Sequence, residues 1–189
     1  MNYFYNKKNV KDYISMSEGY DGTDLIEVLK KHLPSDSTLL ELGMGPGRDL
    51  DILSKIYKTT GSDYSEVFLE LYKERNKFSE LLELDAVNIQ TNRKFDCIYS
   101  NKVLHHLTIK DLKKSFIRQS EVLNNNGILF HSFWYGDKED YHRGLRFVYY
   151  NQETISKCIG SEFKVLELKQ YDELSEDDSF YIVLRKWAV

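Results

Sequence analysis

Leu39-Leu40-Glu41-Leu42-Gly43-Met44-Gly45-Pro46-Gly47 is the stretch whose reading decides the fold. An apolar run of strand character carries one carboxylate, Glu41, and closes on three alternating glycines. Gly43, Gly45 and Gly47 let the backbone turn tightly and approach a ligand with no Cβ in the way. Asp49 falls in the first turn of the helix expected next, Arg48 to Tyr57. This is the shape of a nucleotide-cofactor loop. Taken alone it also fits a plain strand-to-helix turn, so the features on either side of it carry the decision.

Thr59-Thr60-Gly61-Ser62-Asp63 reads as a second strand ending in an acid, twenty positions after Gly43. An α/β nucleotide fold puts its ribose-binding carboxylate at about that distance. A third run, Leu81-Leu82-Glu83-Leu84, ends in Asp85-Ala86, and a fourth, Phe95 to Tyr99, runs into Ser100-Asn101-Lys102-Val103-Leu104-His105-His106-Leu107. Four consecutive strands thus end in polar groups at their carboxyl edges, where open α/β sheets bind ligands.

The rest of the chain alternates in the same way. Residues 1 to about 23 are polar and tyrosine-rich, and Leu25, Ile26, Val28, Leu29 and Leu33 then recur at helical spacing until Pro34. The expected elements are strand 38–43, helix 47–57, strand 59–63, helix 66–76, strand 80–85, strand 95–100, helix 109–123 and strand 127–134. Thr108 with Asp111 resembles a capping box, and Asn124-Asn125-Asn126-Gly127 is a turn signal. A polar loop and a short helix from about Gln152 lead to two last runs, Lys164 to Tyr171 and Ser179 to Trp187, which can pair as a hairpin. Alternation of this kind implies right-handed crossovers and a doubly wound, mostly parallel sheet with helices on both faces.

With 189 residues and 41% hydrophobic content, the chain is long enough for one buried core and too short for two ordinary domains. The expectation is one domain, 1–189, with 1–33 as an N-terminal cap segment and helix. The net charge of -4 and the acidic stretch Glu173 to Asp178 argue against a nucleic-acid partner, whose phosphates need clustered Lys and Arg. Cys97 and Cys158 lie far apart in no metal spacing and read as buried, reduced thiols; no metal site is expected. The opening residues contain no apolar signal region, and no run approaches bilayer length, so a cytoplasmic location is expected.

From about Tyr13 to Lys186 the chain resembles the class I S-adenosylmethionine-dependent methyltransferases, close to the small single-domain branch called methyltransferase type 11. Five motifs in the right order and spacing carry the resemblance. The loop reads G-x-G-x-G followed by Arg48, not G-x-G-x-x-G, with an acid before its first glycine. S-adenosylmethionine has no pyrophosphate to cradle, and its ammonium and sulfonium suit a carboxylate such as Glu41 better than NAD would. The resemblance implies a Rossmann-like seven-stranded sheet with an antiparallel final strand. It also implies S-adenosylmethionine as cofactor, S-adenosylhomocysteine as product, and transfer of the methyl group to a small soluble acceptor by in-line displacement. The alternatives are a methyltransferase of RNA or protein and a catalytically silent S-adenosylmethionine-binding regulatory module.

On this resemblance the cofactor residues are Glu41, Gly43, Met44, Gly45, Gly47, Asp63, Tyr64, Asp85, Ala86 and Asn101. Glu41 would act on the methionine end and Asp63 on the ribose diol, with Ser65 as the better placed cap of the helix that follows. Tyr64 would lie against the adenine face. Asp85 and the Ala86 N–H would read the adenine edge, and Asn101 would lie beside the methyl group. His105 and His106 are the candidate bases; being adjacent, they point in different directions and make poor joint metal ligands. The other reading of the pair is that one packs beneath the helix starting at Ile109. Tyr13, Tyr20, Tyr135, Arg143 and Arg146 are the acceptor-pocket candidates, from the N-terminal segment and the loop after the fifth strand. Both of those regions also fit ordinary surface packing.

Overall fold

A computed structural model describes residues 3–187; the first two and last two positions of the expected 1–189 span lie outside the described residues. Among the described residues there are nine strands: β1 (Thr38–Leu42), β2 (Lys58–Asp63), β3 (Glu80–Glu83), β4 (Phe95–Asn101), β5 (Leu123–Trp134), β6 (Glu139–His142), β7 (Leu145–Val148), β8 (Phe163–Tyr171) and β9 (Ser179–Lys186). Six α-helices, α1 (Lys7–Met16), α2 (Thr23–Leu29), α3 (Arg48–Leu53), α4 (Glu66–Arg75), α5 (Ile109–Val122) and α6 (Gln152–Ser156), join them, with 3₁₀ turns at Tyr3–Tyr5 and Leu104–His106. The main sheet has seven strands in the order β3-β2-β1-β4-β5-β9-β8, and β6 and β7 form a separate hairpin.

Strands β1 to β5 pair in parallel, while β9 runs antiparallel to both β5 and β8. The strand order reverses between β1 and β4, which opens a crevice outside their carboxyl ends. Leu39, Leu40 and Leu42 of β1 and Cys97, Ile98 and Tyr99 of β4 are all buried, as expected where helices cover both faces of a sheet. One face packs Leu40, Ile98, Leu129 and Ile182 under α5; the other packs Leu39, Tyr99, Phe130 and Val183 under α2 and the turn after α3. Both cysteines are buried and unbridged.

Four differences from the sequence-based expectation have local causes. Helix 47–57 tightens after Leu53, where Lys55 N–H and Ile56 N–H bond to carbonyls three residues back. The Asn124–Gly127 turn lies inside β5: from Phe95 to Cys97 the partner strand advances two residues while β5 advances from Leu123 to Ile128, and Asn126 takes φ 62°. The polar N-terminal stretch folds as α1, capped by the Asn6 side chain on the N–H groups of Lys8 and Asn9. The polar loop after β5 contains the β6–β7 hairpin, turned by Arg143 (φ 52°) and Gly144 (φ 81°).

Candidate active site

The glycine loop leaves β1 with all three glycines at positive φ: 68° at Gly43, 48° at Gly45 and 78° at Gly47. Their surroundings differ. A Cβ on Gly43 would lie 2.5 Å from Val103 Cγ1, and one on Gly47 would overlap the Tyr72 ring. A Cβ on Gly45 would meet nothing nearer than Tyr13 Cε1 at 4.0 Å. Gly43 and Gly47 therefore serve close packing of the chain on itself, and Gly45 is the glycine that faces open space. Met44 is buried against Leu50 and Tyr72, so its side chain belongs to the core and only its backbone lines the loop.

Three buried carboxylates surround this loop. Asp63, at the end of β2, accepts from Gly45 N–H and Ser65 N–H, each at 2.9 Å. This corrects the expected division of labour: Ser65 sits at the N-cap of α4 but its hydroxyl donates to the Phe4 carbonyl at 2.6 Å, and Asp63 takes the backbone donor itself. Burial pushes Asp63 up to about 6, against the pull of its backbone donors. Asp49 is also buried and raised by burial; it accepts from Gly22 N–H (2.6 Å), Tyr99 hydroxyl (2.8 Å) and Asn101 Nδ2 (3.1 Å). Glu41 is 3% exposed, and its Oε2 has no hydrogen-bond partner among the described residues. Burial, then the negative charges of Asp49 and Asp63, raise Glu41 well above the carboxylate range. The loop thus sits in an acidic, desolvated cradle with one unsatisfied oxygen.

The N-terminal segment is tied across this cradle by α3. Arg48 donates to the carbonyls of Tyr20 and Ile14, and Asp49 takes Gly22 N–H. A side chain on Gly22 would collide with Asp49 Oδ2 and the Tyr99 hydroxyl, each at 2.5 Å. Phe4, Tyr13, Tyr64 and Phe68 cluster beside the loop, Tyr13 edge-on to Phe4 at 5.2 Å and to Phe68, and Phe4 tilted against Tyr64 and Phe68. Leu145 of the β6–β7 hairpin joins the same cluster. Asp49, Arg48 and Gly22 are the functional positions that sequence reading missed. The available signal was an Arg-Asp pair opening the helix immediately after the glycine loop.

At the third and fourth strand ends the candidate residues are held by local bonds. Asp85 is exposed, and its Oδ1 accepts from Val87 N–H and Asn88 N–H. The Ala86 carbonyl accepts from Ser115 Oγ at 2.6 Å. Asn101 bridges Asp49 and the Ser132 hydroxyl.

His105 and His106 form a separate corner. His105 is buried, neither ring nitrogen has a partner among the described residues, and it stacks on Phe147 at 5.1 Å and 24°. His106 Nδ1 donates to the Arg146 carbonyl, which leaves its Nε2 as the lone-pair nitrogen. Burial lowers both, His105 further because the His106 and Lys102 charges add to it. The other acceptor-pocket candidates are not gathered here. Tyr20 is exposed, Arg143 is exposed at the hairpin turn, Tyr135 is exposed and lies edge-on to Phe180, and the Arg146 guanidinium pairs with Glu139 at 2.9 Å.

Residues 40–131, from β1 through most of β5, match the family model described as a methyltransferase domain. The match is consistent with a class I S-adenosylmethionine-dependent methyltransferase. The glycine loop, Asp63, Asp85, His105 and His106 all lie inside the matched span. Its fold is similar to that of an S-adenosylmethionine-dependent methyltransferase from Clostridium acetobutylicum (16% identity, 97% of this chain and 100% of that one, TM-score 0.76). It is similar also to the N-methyltransferase NodS from Bradyrhizobium japonicum in complex with S-adenosylhomocysteine (15%, 98% and 99%, TM-score 0.73). A third similar structure is the Burkholderia thailandensis 1,6-didemethyltoxoflavin-N1-methyltransferase with that compound and S-adenosylhomocysteine bound (15%, 94% and 87%, TM-score 0.75). No functionally curated protein matches the chain in sequence.

Proposed function

We propose that this methyltransferase acts as a single cytoplasmic domain that methylates a small soluble acceptor, with S-adenosylmethionine lying along the carboxyl ends of β1 to β4. The observation that carries the reading is Glu41: a buried carboxylate with an unpartnered oxygen beneath a glycine that faces open space. Glu41 receives the cationic methionine end, with Gly43 to Gly47 curving around it. Asp63 keeps lone-pair capacity beyond its backbone donors for the ribose diol. Tyr64, Asp85 and the Ala86 N–H surround the adenine, and Asn101 lies nearest the transferred group. When bound, the cofactor supplies an electrophilic methyl group on a sulfonium.

The protein's contribution is alignment and exclusion of water. Holding two reactants in near-attack geometry is worth on the order of 7–11 kcal/mol. The Arg48 and Asp49 bonds that hold residues 14–22 over the cradle supply the closure. His106, with Nε2 unprotonated at neutral pH, is the better placed base for an acceptor N–H or O–H; His105 lines the same corner. Of the acceptor-pocket candidates, Tyr13 beside Gly45 borders the acceptor's path, while Tyr20, Tyr135, Arg143 and Arg146 are not gathered there. Two observations favour a small acceptor over RNA or protein: the net charge of -4, and the meeting of the N-terminal helix and the β6–β7 hairpin above the site. The Burkholderia neighbour, which holds a small heterocycle, agrees with this reading.

Methyl transfer from labelled S-adenosylmethionine into separated metabolite, RNA and protein fractions tests the proposal. Label is expected in the metabolite fraction. Label in RNA or protein overturns the acceptor class, and cofactor binding with no transfer to any fraction makes the chain a binding module.

A further inference from the structure

A chain of four buried polar side chains crosses the interior between β4, β5 and α5, and the function proposed above leaves it without a role. Ser100 and His131 face each other in the β4–β5 register, with Ser100 Oγ 2.8 Å from His131 Nδ1. His131 Nε2 is 2.8 Å from Gln119 Oε1, Gln119 Nε2 is 3.0 Å from Ser115 Oγ, and Ser115 Oγ is 2.6 Å from the Ala86 carbonyl. All four side chains are fully buried.

The polarity of the chain has one solution. A carbonyl can only accept, so Ser115 donates to Ala86 and must accept from the Gln119 amide. That turns the Gln119 oxygen toward His131, which therefore carries its proton on Nε2 and accepts from Ser100 on Nδ1. Burial holds His131 down to about 3, so the imidazole stays neutral at any working pH and the direction never reverses. The same face of α5 already buries Leu112, Phe116 and Val122, so a core alone needed only apolar side chains at 115 and 119. Buried polar networks that are fully satisfied rigidify what they touch.

What this one touches is the Ala86–Val87 peptide. Ser115 holds its carbonyl, and Asp85 Oδ1 holds its N–H at 2.9 Å. The preceding N–H, that of Ala86 itself, has no acceptor among the described residues. We propose that Ser100, His131, Gln119 and Ser115 are positioning residues that fix the direction of the Ala86 N–H and so set the enzyme's preference for a ring-nitrogen acceptor on the adenine. The proposal rests on the reading that Asp85 and Ala86 hold the adenine.

Titration calorimetry with S-adenosylhomocysteine and with its 1-deazaadenine analogue, which lacks N1, the ring acceptor beside the exocyclic amine, separates positioning from general support. The wild type is expected to favour the natural ligand about tenfold, the scale of one hydrogen bond. Ser115→Ala is expected to shrink that ratio to about twofold while leaving the analogue's affinity nearly unchanged. Ser115→Thr, which keeps the hydroxyl, restores it, and Gln119→Met, which leaves Ser115 in place, gives an intermediate ratio. Equal weakening of both ligands in Ser115→Ala and Gln119→Met, with the ratio intact, overturns the relay while leaving the adenine reading standing. A wild type that binds both ligands equally overturns the adenine reading and the relay with it.

Discussion

The glycine loop after β1 and the histidine corner after β4 sit at the carboxyl ends of adjacent strands, yet they are built in opposite ways. The loop is made of backbone in left-handed conformations and of carboxylates from β1, β2 and α3, with Asp49 and Asp63 satisfied and Glu41 left one partner short. The corner is made of rings: Phe147 lies against His105, His106 and His142, and both nitrogens of His105 are unpaired. In the proposed function the first is a seat for a charged ligand and the second an apolar wall with a single oriented base, two different demands on one sheet edge.

The largest effect that tests this contrast falls on the loop's own packing. Gly47→Ala puts a methyl group into Tyr72, which is buried and anchored by its hydroxyl to Asp51 at 2.7 Å, so destabilisation of about 3 kcal/mol or more is expected. Gly45→Ala, with space above it, is expected to cost about 1 kcal/mol. Urea unfolding of both variants decides it, and equal losses would erase the distinction between the packing glycines and the ligand-facing one.

At the corner, His106→Ala is expected to lose about a hundredfold in turnover while S-adenosylhomocysteine affinity holds within about twofold. Because burial lowers His106, the wild-type rate stays flat through neutrality and falls only below the ordinary histidine range. A rate independent of pH down to 5, with an active His106→Ala enzyme, would leave alignment as the whole mechanism.

Asp63→Ala is expected to weaken S-adenosylhomocysteine by roughly 1.5–3 kcal/mol, the scale of charge-assisted hydrogen bonds, as read by calorimetry. Unchanged affinity in a folded variant would take Asp63 out of the ribose site.

Glu41→Gln gives the smallest effect and a distinct pH signature. The folded-state pKa of Glu41 lies above its unfolded value, so its stability contribution is lost as pH rises past the ordinary carboxylate range. The ligand-free variant is therefore expected to match the wild type in acid and to exceed it near neutrality, while binding cofactor less well. Thermal melts across pH read this, and a difference that is constant with pH would mean that burial does not raise Glu41.

How far each region could be read from the sequence follows the same divide. The β1–loop–α3 unit, Asp63 and the parallel core were legible because glycine spacing, apolar runs and terminal acids are all local signals. Helix α1 was not, since its inward face is only Val10, Tyr13 and Ile14 in an otherwise polar stretch, with Val10 alone fully buried. The β6–β7 hairpin was hidden because Arg143 adopts the left-handed conformation that glycine or asparagine usually advertises. Asp49 reads as an ordinary first-turn acid until Gly22, before α2, and Tyr99 and Asn101, both on β4, arrive from two other parts of the chain. The acidic stretch 173–178 reads as a solvated turn, yet Glu173 reaches back to pair with Lys102 at 3.1 Å.

Calorimetric titration of S-adenosylhomocysteine into the wild type and Gly45→Val tests the central claim most directly. The wild type is expected to bind one ligand per chain, and the variant to remain folded by circular dichroism yet show no binding, because the branched side chain fills the open space above the loop. Normal binding by a folded Gly45→Val protein would contradict the assignment of this loop as the cofactor's seat.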